Sequence, residues 1–338
     1  MNLDYGFTAA LVALISFAIV ALTTPKLIRK MKWLKFVDKD ANKPGQPLVP
    51  KIGGIAIVLG FVVAVLLSLQ LSSQINAIFL LAAINTVVLV SFLGLIDDIM
   101  NLRDRYRVVL PLFAALPLMV VKAGTSVMGV PFIGDINFNL GTVILPFLGP
   151  FELNLYILLL IPIGVVACSN LINLLAGFNG LEAGVGAIVS GTLALAILLI
   201  GMPPGSPEAL FLVVAMGGAC LGFLLYNWYP ARIFPGNITT YAIGATVAAA
   251  VIIGNMERVG AILLAPQIGE FFLKARSRFQ AENFGKVGKD GRLSYDGPIH
   301  SLTHLTMKLF RPTEQQLVLY LLALQALAGI AAIASIYV

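Results

Sequence analysis

The chain has 338 residues, of which 59% are hydrophobic and only 11% are charged. Soluble domains carry about 25% charged residues, so an ordinary water-soluble domain is excluded. The formal charge of +6 would admit a nucleic-acid partner, but the placement of the basic residues argues against one. Apolar runs near the roughly 20 residues of a membrane-spanning helix recur from end to end. In chain order they are 7–25, 52–71, 76–96, 108–121, 153–172, 184–201, 208–226, 237–254, 259–274 and 315–337. They predict an all-α fold, a polytopic integral membrane bundle of about ten transmembrane helices. The fourth run is short and the ninth carries Pro266, Gln267 and Glu270, so these two fit least well.

The first run lacks a basic start and a small-residue cleavage site, so it reads as a retained helix. The outer loop 122–152 alternates apolar and polar residues around Gly134-Asp135, which predicts a short interfacial β-hairpin. The long polar loop 275–314 has a turn signal at Lys289-Asp290-Gly291. Cys168 and Cys220 show neither metal nor disulfide spacing and read as small core residues. Twenty of the 22 Lys and Arg residues lie in alternate connections, and only Lys122 and Arg258 lie on the opposite side. Basic connections stay cytoplasmic, so both termini face outward. The chain reads as one integral domain over 1–338, with cytoplasmic loops 26–51, 97–107, 173–183, 227–236 and 275–314.

The polar chemistry gathers at those inner loops. Asp97 and Asp98 end the third run. Acidic residues in membrane segments are costly and are functional candidates, although a pair at a helix end can simply terminate it. Asn170, Asn173, Gly177, Asn179, Gly180 and Glu182 crowd one short stretch. Amide oxygens suit a hard cation such as Mg²⁺, and the glycines allow a tight turn, although Asn and Gly also make ordinary turns. Trp228 and Tyr229 read as interfacial anchors, while Gly236-Asn237 opens the eighth run. Arg276 and Arg278 could grip a diphosphate, since each guanidinium donates two parallel hydrogen bonds. For any single basic residue there, topology alone is a sufficient explanation. His300 and His304 are four apart, without the glutamate of a zinc-binding helix. A hard cation, a diphosphate and a site at the bilayer surface together point to phosphoryl chemistry.

At four places the sequence resembles the polyprenyl-phosphate N-acetylhexosamine-1-phosphate transferases. They are Gly94-Leu-Ile-Asp97-Asp98, Asn101-Leu-Arg103 through Leu110-Pro111, Asn170 to Glu182, and Asn227-Trp228-Tyr229-Pro230. The likeness runs from Lys39–Lys43 to the last helix. Ala176-Gly177, where bacterial branches tend to have Asp-Gly, and the Asn-Gly-Leu-Glu ending at Glu182 favour the archaeal and eukaryotic dolichol branch.

The resemblance implies ten helices, a cytoplasmic site, Mg²⁺ with Mn²⁺ as its substitute, and two substrates: UDP-N-acetylglucosamine and a polyprenyl or dolichyl phosphate. It implies that the lipid phosphate attacks the β-phosphorus and UMP leaves, the first step of lipid-linked oligosaccharide synthesis for N-glycosylation. Asp97 and Asp98 would sit at the catalytic centre, with Arg107 where the family usually has lysine. Asn173 and Asn237 would meet the metal, and Lys43, Asn170, Asn179 and Glu182 the nucleotide sugar. Arg276 and Arg278, flanking Ser277, are the nearest equivalent of the family's Arg-His-Arg cluster. Gly236-Asn237 departs from the family's Gly-Asp, so the cation should be held more weakly. The partners implied are the bilayer and, as an option, a second copy in a homodimer, without nucleic acid. An archaeal plasma membrane is the preferred location and the endoplasmic reticulum the second. Two alternatives remain: a bacterial-type undecaprenyl-phosphate transferase, and a cation-coupled transporter. Transporter sites lie near mid-membrane between broken helices, whereas these acids and amides cluster at the inner surface.

Overall fold

The computed structural model describes residues 3–43, 45–72, 75–130, 134–145 and 149–337. A long first helix, α1 (Leu3–Trp33), opens the chain. Its 31 residues span about 46 Å at 1.5 Å per residue. That exceeds the roughly 30 Å hydrocarbon layer, and its last turn carries Lys30 and Lys32. Then come α2 (Gly54–Leu71) and α3 (Ala77–Met100). The Asn76 side chain starts α3 by accepting the N–H groups of Ile78 and Phe79. Asn101, left-handed at φ 50°, ends it.

The chain continues through α4 (Asp104–Ala114), α5 (Leu116–Val120) and a π-helical turn (Tyr156–Leu160) into α6 (Ile161–Leu174). Next are α7 (Leu181–Ile200), α8 (Ser206–Asn227), α9 (Asn237–Ile253), α10 (Glu257–Leu263) and α11 (Ala265–Ala275). Two more helices, α12 (Leu302–Phe310) and α13 (Glu314–Ala334), close the fold. A capping box between Thr313 and Gln316 fixes the start of α13.

Among the described residues, seven helices are long and apolar enough to cross a membrane, so the protein is an integral, multi-pass membrane protein. Of the other three expected spans, α9 is apolar but has only 17 residues. The fourth is broken at Ala115 and the ninth at Leu264. Proline causes both breaks: Pro117 and Pro266 lie at the starts of α5 and α11, where they supply no N–H to the preceding turn. Beside this break Gln325 Nε2 on α13 donates to the Leu263 carbonyl at 2.8 Å.

The bundle is centred on α8, which packs against α1, α2, α7 and α9. A Cβ on Gly218 or Gly222 would fall 2.2 Å from the Ala13 carbonyl or 2.6 Å from that of Phe17, so α1 and α8 meet backbone to backbone. Cys168 and Cys220 carry free thiols and contribute to this apolar interior.

Helices dominate, in line with the helical fold class expected, and four antiparallel two-stranded sheets are also present among the described residues. They pair β1 (Val37–Lys39) with β2 (Leu48–Pro50), and β3 (Val127–Val130) with β4 (Gly134–Asn137). The others pair β5 (Asn139–Leu145) with β6 (Gly149–Asn154), and β7 (Lys286–Val287) with β8 (Leu293–Ser294). The outer connection thus folds as two hairpins rather than one. The turn signal at Lys289-Asp290-Gly291 lies between β7 and β8, with Gly291 at φ 72°.

Candidate active site

The end of α3 and the start of α9 are locked together by the adjacent carboxylates. Asp98 Oδ1 accepts from the Asn237 N–H at 2.8 Å and Oδ2 from the Ile238 N–H at 3.1 Å. Asp98 therefore caps a helix that has no cap of its own, placing a carboxylate where exposed N–H groups attract it. Gly236 makes this approach feasible. It has φ 77° and ψ 170°, and a Cβ there would stand 2.4 Å from Asp98 Oδ2. Gly94, one turn before Asp98, would likewise meet the Asn237 carbonyl at 2.7 Å.

Asp97 is 2% exposed and is satisfied by three residues. Its Oδ1 accepts from the Leu102 N–H at 2.8 Å, and its Oδ2 from Asn237 Nδ2 at 2.9 Å. Arg107 Nε stands 3.1 Å from Oδ1 and 3.0 Å from Oδ2. The guanidinium also donates to Asn101 Oδ1 at 3.0 Å and lies 3.6 Å from Asp104. Asn170 on α6 donates to the Arg107 carbonyl at 3.1 Å, and Asn173 accepts from Thr240 Oγ1 on α9 at 2.8 Å. Six polar side chains from four helices thus form one ring: Asp97, Asp98, Arg107, Asn170, Asn173 and Asn237.

A second cluster collects the other expected residues. Asn179 is buried and fully bonded. Its Oδ1 accepts from Lys43 Nζ at 2.9 Å and from the Ala231 N–H at 2.5 Å. Its Nδ2 donates to Glu314 Oε1 at 2.7 Å and Asp40 Oδ2 at 3.2 Å. Lys43 pairs with Asp40, reaches Glu314 Oε2 at 3.3 Å, and lies 4.6 Å from the centre of the Tyr229 ring. Two carboxylates share one ammonium here, away from bulk water. Glu182 accepts the Gly177 N–H at 2.8 Å with one oxygen, and its other oxygen is buried without a hydrogen-bond partner among the described residues. Asp40 and Glu314 were not anticipated, because isolated acids in a loop and at a helix start carry no local motif.

Arg276 and Arg278 are exposed, and neither side chain makes a hydrogen bond or ion pair among the described residues. The structure ties their loop down elsewhere. Asn283 donates to the Leu174 and Ala176 carbonyls at 3.0 and 2.8 Å, and Phe284 packs on Phe178. His304 stacks on Tyr295 with ring centres 3.6 Å apart, and burial pushes its imidazole down to about 4.

No cluster of three or more His, Cys, Asp or Glu side chains occurs among the described residues. The ring nevertheless offers hard oxygen donors of the kind Mg²⁺ takes when water and phosphate complete its shell. Each Asp98 oxygen accepts one hydrogen bond and keeps a second lone pair, and Asn237 uses its amide nitrogen toward Asp97, so its Oδ1 is not taken up by that bond. Asn173 fits less directly, since its oxygen is engaged by Thr240.

The residues 79–255, which include the whole ring, match the family described as "Glycosyl transferase family 4". A Saccharolobus solfataricus protein named "Putative UDP-N-acetylglucosamine--dolichyl-phosphate N-acetylglucosaminephosphotransferase" is 40% identical, over 95% of this chain and 94% of its own. The UDP-N-acetylglucosamine–dolichyl-phosphate N-acetylglucosaminephosphotransferase of Dictyostelium discoideum is 28% identical, over 86% of this chain and 79% of its own. A phospho-N-acetylmuramoyl-pentapeptide-transferase of Shouchella clausii is also 28% identical, over 87% and 88%. The match reaches from the first helix to the last, and the chain belongs to glycosyl transferase family 4.

Proposed function

We propose that this protein transfers N-acetylglucosamine 1-phosphate from UDP-N-acetylglucosamine to a polyprenyl or dolichyl phosphate. The observation that carries the reading is the convergence of Asp97, Asp98 and Arg107 with three asparagines at the ends of four helices. An oxygen of the lipid phosphate bonds to the β-phosphorus, the bond from that phosphorus to the bridging oxygen breaks, and UMP leaves with that oxygen. The product is the lipid-linked sugar diphosphate that begins oligosaccharide assembly for N-glycosylation.

In such transfers positioning and charge neutralisation dominate. Asp97 holds the Arg107 guanidinium and the Asn237 amide in place, and Arg107 faces the phosphates. Asp98 orients the acceptor phosphate, and Asn170, Asn179, Glu182 and Lys43 shape the nucleotide-sugar side. Mg²⁺, or Mn²⁺ in its place, would supply positive charge at the diphosphate when held by Asp98, Asn237 and Asn173. Arg276 and Arg278, whose side chains have no partner among the described residues, would close over the diphosphate. In this reading α9 and the broken pairs α4–α5 and α10–α11 also cross, giving ten spans with the ring toward the basic, cytoplasmic side. The preferred membrane is an archaeal plasma membrane, with the endoplasmic reticulum second.

The test is release of UMP and formation of a labelled lipid from labelled UDP-N-acetylglucosamine, dolichyl phosphate and Mg²⁺. EDTA, Asp98→Asn and a UDP-muramoyl-pentapeptide donor complete the panel. Metal-dependent product that is lost in folded Asp98→Asn supports the reading. Turnover of the muramoyl donor alone would assign the chain to the cell-wall branch, and no turnover of any donor would reject the assignment.

A further inference from the structure

One polar group beside the ring has no partner. Tyr241 lies on α9 one turn beyond Asn237 and is 1% exposed, yet its hydroxyl makes no hydrogen bond among the described residues. Side chains on an α-helix lean toward its N-terminus. The phenol of Tyr241 therefore reaches back toward the level of Asn237, whose amide is bonded to Asp97. The charges acting on the hydroxyl are those of Asp97, Arg107, Asp98 and Asp104. Neighbouring hydroxyls are satisfied, that of Thr240 by Asn173 and the Asn237 carbonyl and that of Thr239 by the Pro235 carbonyl. A buried hydroxyl left unpaired disfavours folding, so phenylalanine would suit the packing of this site better than tyrosine.

We propose that the Tyr241 hydroxyl is a catalytic donor kept free for substrate, bonding a non-bridging oxygen of the phosphoryl group in transfer. The assignment rests on the transferase reading above. As the acceptor oxygen closes on phosphorus and the bridging oxygen departs with UMP, negative charge concentrates on the oxygens around phosphorus. Arg107 meets that charge with a cation, and Tyr241 meets it with a neutral donor held out of bulk water. The phenol stays protonated throughout. The ground-state diphosphate is gripped mainly by other groups, so the hydroxyl contributes to turnover more than to binding.

The experiment compares wild type with Tyr241→Phe in nanodiscs, measuring UMP release with Mg²⁺ and, separately, thermal unfolding without substrates. The expected result is a fall in kcat of about 10- to 100-fold. Both KM values should stay within about twofold, and the unfolding temperature should be unchanged or slightly raised, since an unpaired buried group has been removed. A kcat equal to wild type overturns the proposal, and so does a loss of turnover that tracks a lowered unfolding temperature. If wild type itself releases no UMP, the transferase reading falls and this assignment falls with it. If wild type is active and Tyr241→Phe equally so, only the role of the phenol is wrong.

Discussion

Replacing Asn237 by Asp would give the ring the carboxylate that the family pattern has at that position. Asn237 Nδ2 is 2.9 Å from Asp97 Oδ2, so the substitution turns a donor–acceptor contact into a contact between two acceptors. The Asp97 side chain has no exposed surface, and bulk water will not screen the new charge well. At an effective dielectric of about 20, two charges about 3 Å apart repel by roughly 5–6 kcal/mol. Arg107, 3.0 Å from the same carboxylate, offsets part of this, and rotation of the new side chain relieves more. A net destabilisation of about 2–4 kcal/mol is expected in EDTA, or roughly 5–10 °C in unfolding temperature. Three carboxylates would then face one point, and millimolar Mg²⁺ should restore the lost stability in proportion to its occupancy. Scanning fluorimetry in EDTA and in Mg²⁺, alongside UMP release, reads both effects. A variant as stable as wild type in EDTA, or one indifferent to Mg²⁺, would refute both the contact with Asp97 and the cation site.

Lys43→Met removes the ammonium shared by Asp40 and Glu314, which should cost about 3–5 kcal/mol because two buried acids lose their partner. A lower unfolding temperature with near-complete loss of UMP release is the expected readout. Arg276→Ala and Arg278→Ala should leave stability within about 0.5 kcal/mol, since neither side chain has a partner among the described residues. Steady-state kinetics should instead show KM for UDP-N-acetylglucosamine rising about tenfold or more, as expected when a charge-assisted bond to phosphate is lost. In acid the loop around His304 should loosen. Burial holds this imidazole at about 4, against about 6.5 in an unfolded chain. Below pH 6.5 the unfolded state therefore binds a proton that the folded state refuses, and stability declines as pH falls toward 4. Hydrogen exchange over 295–310 at pH 7 and pH 5 should show the loss in wild type and not in His304→Phe.

The bundle was readable because lipid demands long apolar helices, and α2, α3, α7, α8 and α13 lie where the apolar runs predict them. The breaks at Ala115 and Leu264 were less legible. Proline can kink a membrane helix or end it, and the outcome depends on how neighbouring helices satisfy the backbone groups it leaves unpaired. The single expected hairpin became two, because alternation over 122–152 signals strands without saying where they turn back. Within the site, Asp97, Asp98 and the asparagines stood out through dense local motifs. Glu314 meets Lys43 from 271 positions away, and no window of sequence connects them. The Tyr241 hydroxyl was equally hidden, since a tyrosine in an apolar run looks like packing until its missing partner is seen.

The cap that Asp98 lends to α9 has a consequence for biogenesis. A helix start with bare N–H groups is poorly tolerated where water is scarce, and α9 has no side chain of its own to cover them. The segment can therefore settle at its final depth only once α3 has been inserted and stands beside it. Two helices separated by more than a hundred residues of later-inserted chain must find each other, and the residue that seals their meeting, Asp98, is also an acid of the proposed reaction centre. A misassembled bundle would lose its helix cap and its chemistry in one event. Proteins of this kind should consequently populate either a seated, competent form or an unseated, inert one, with few stable forms between.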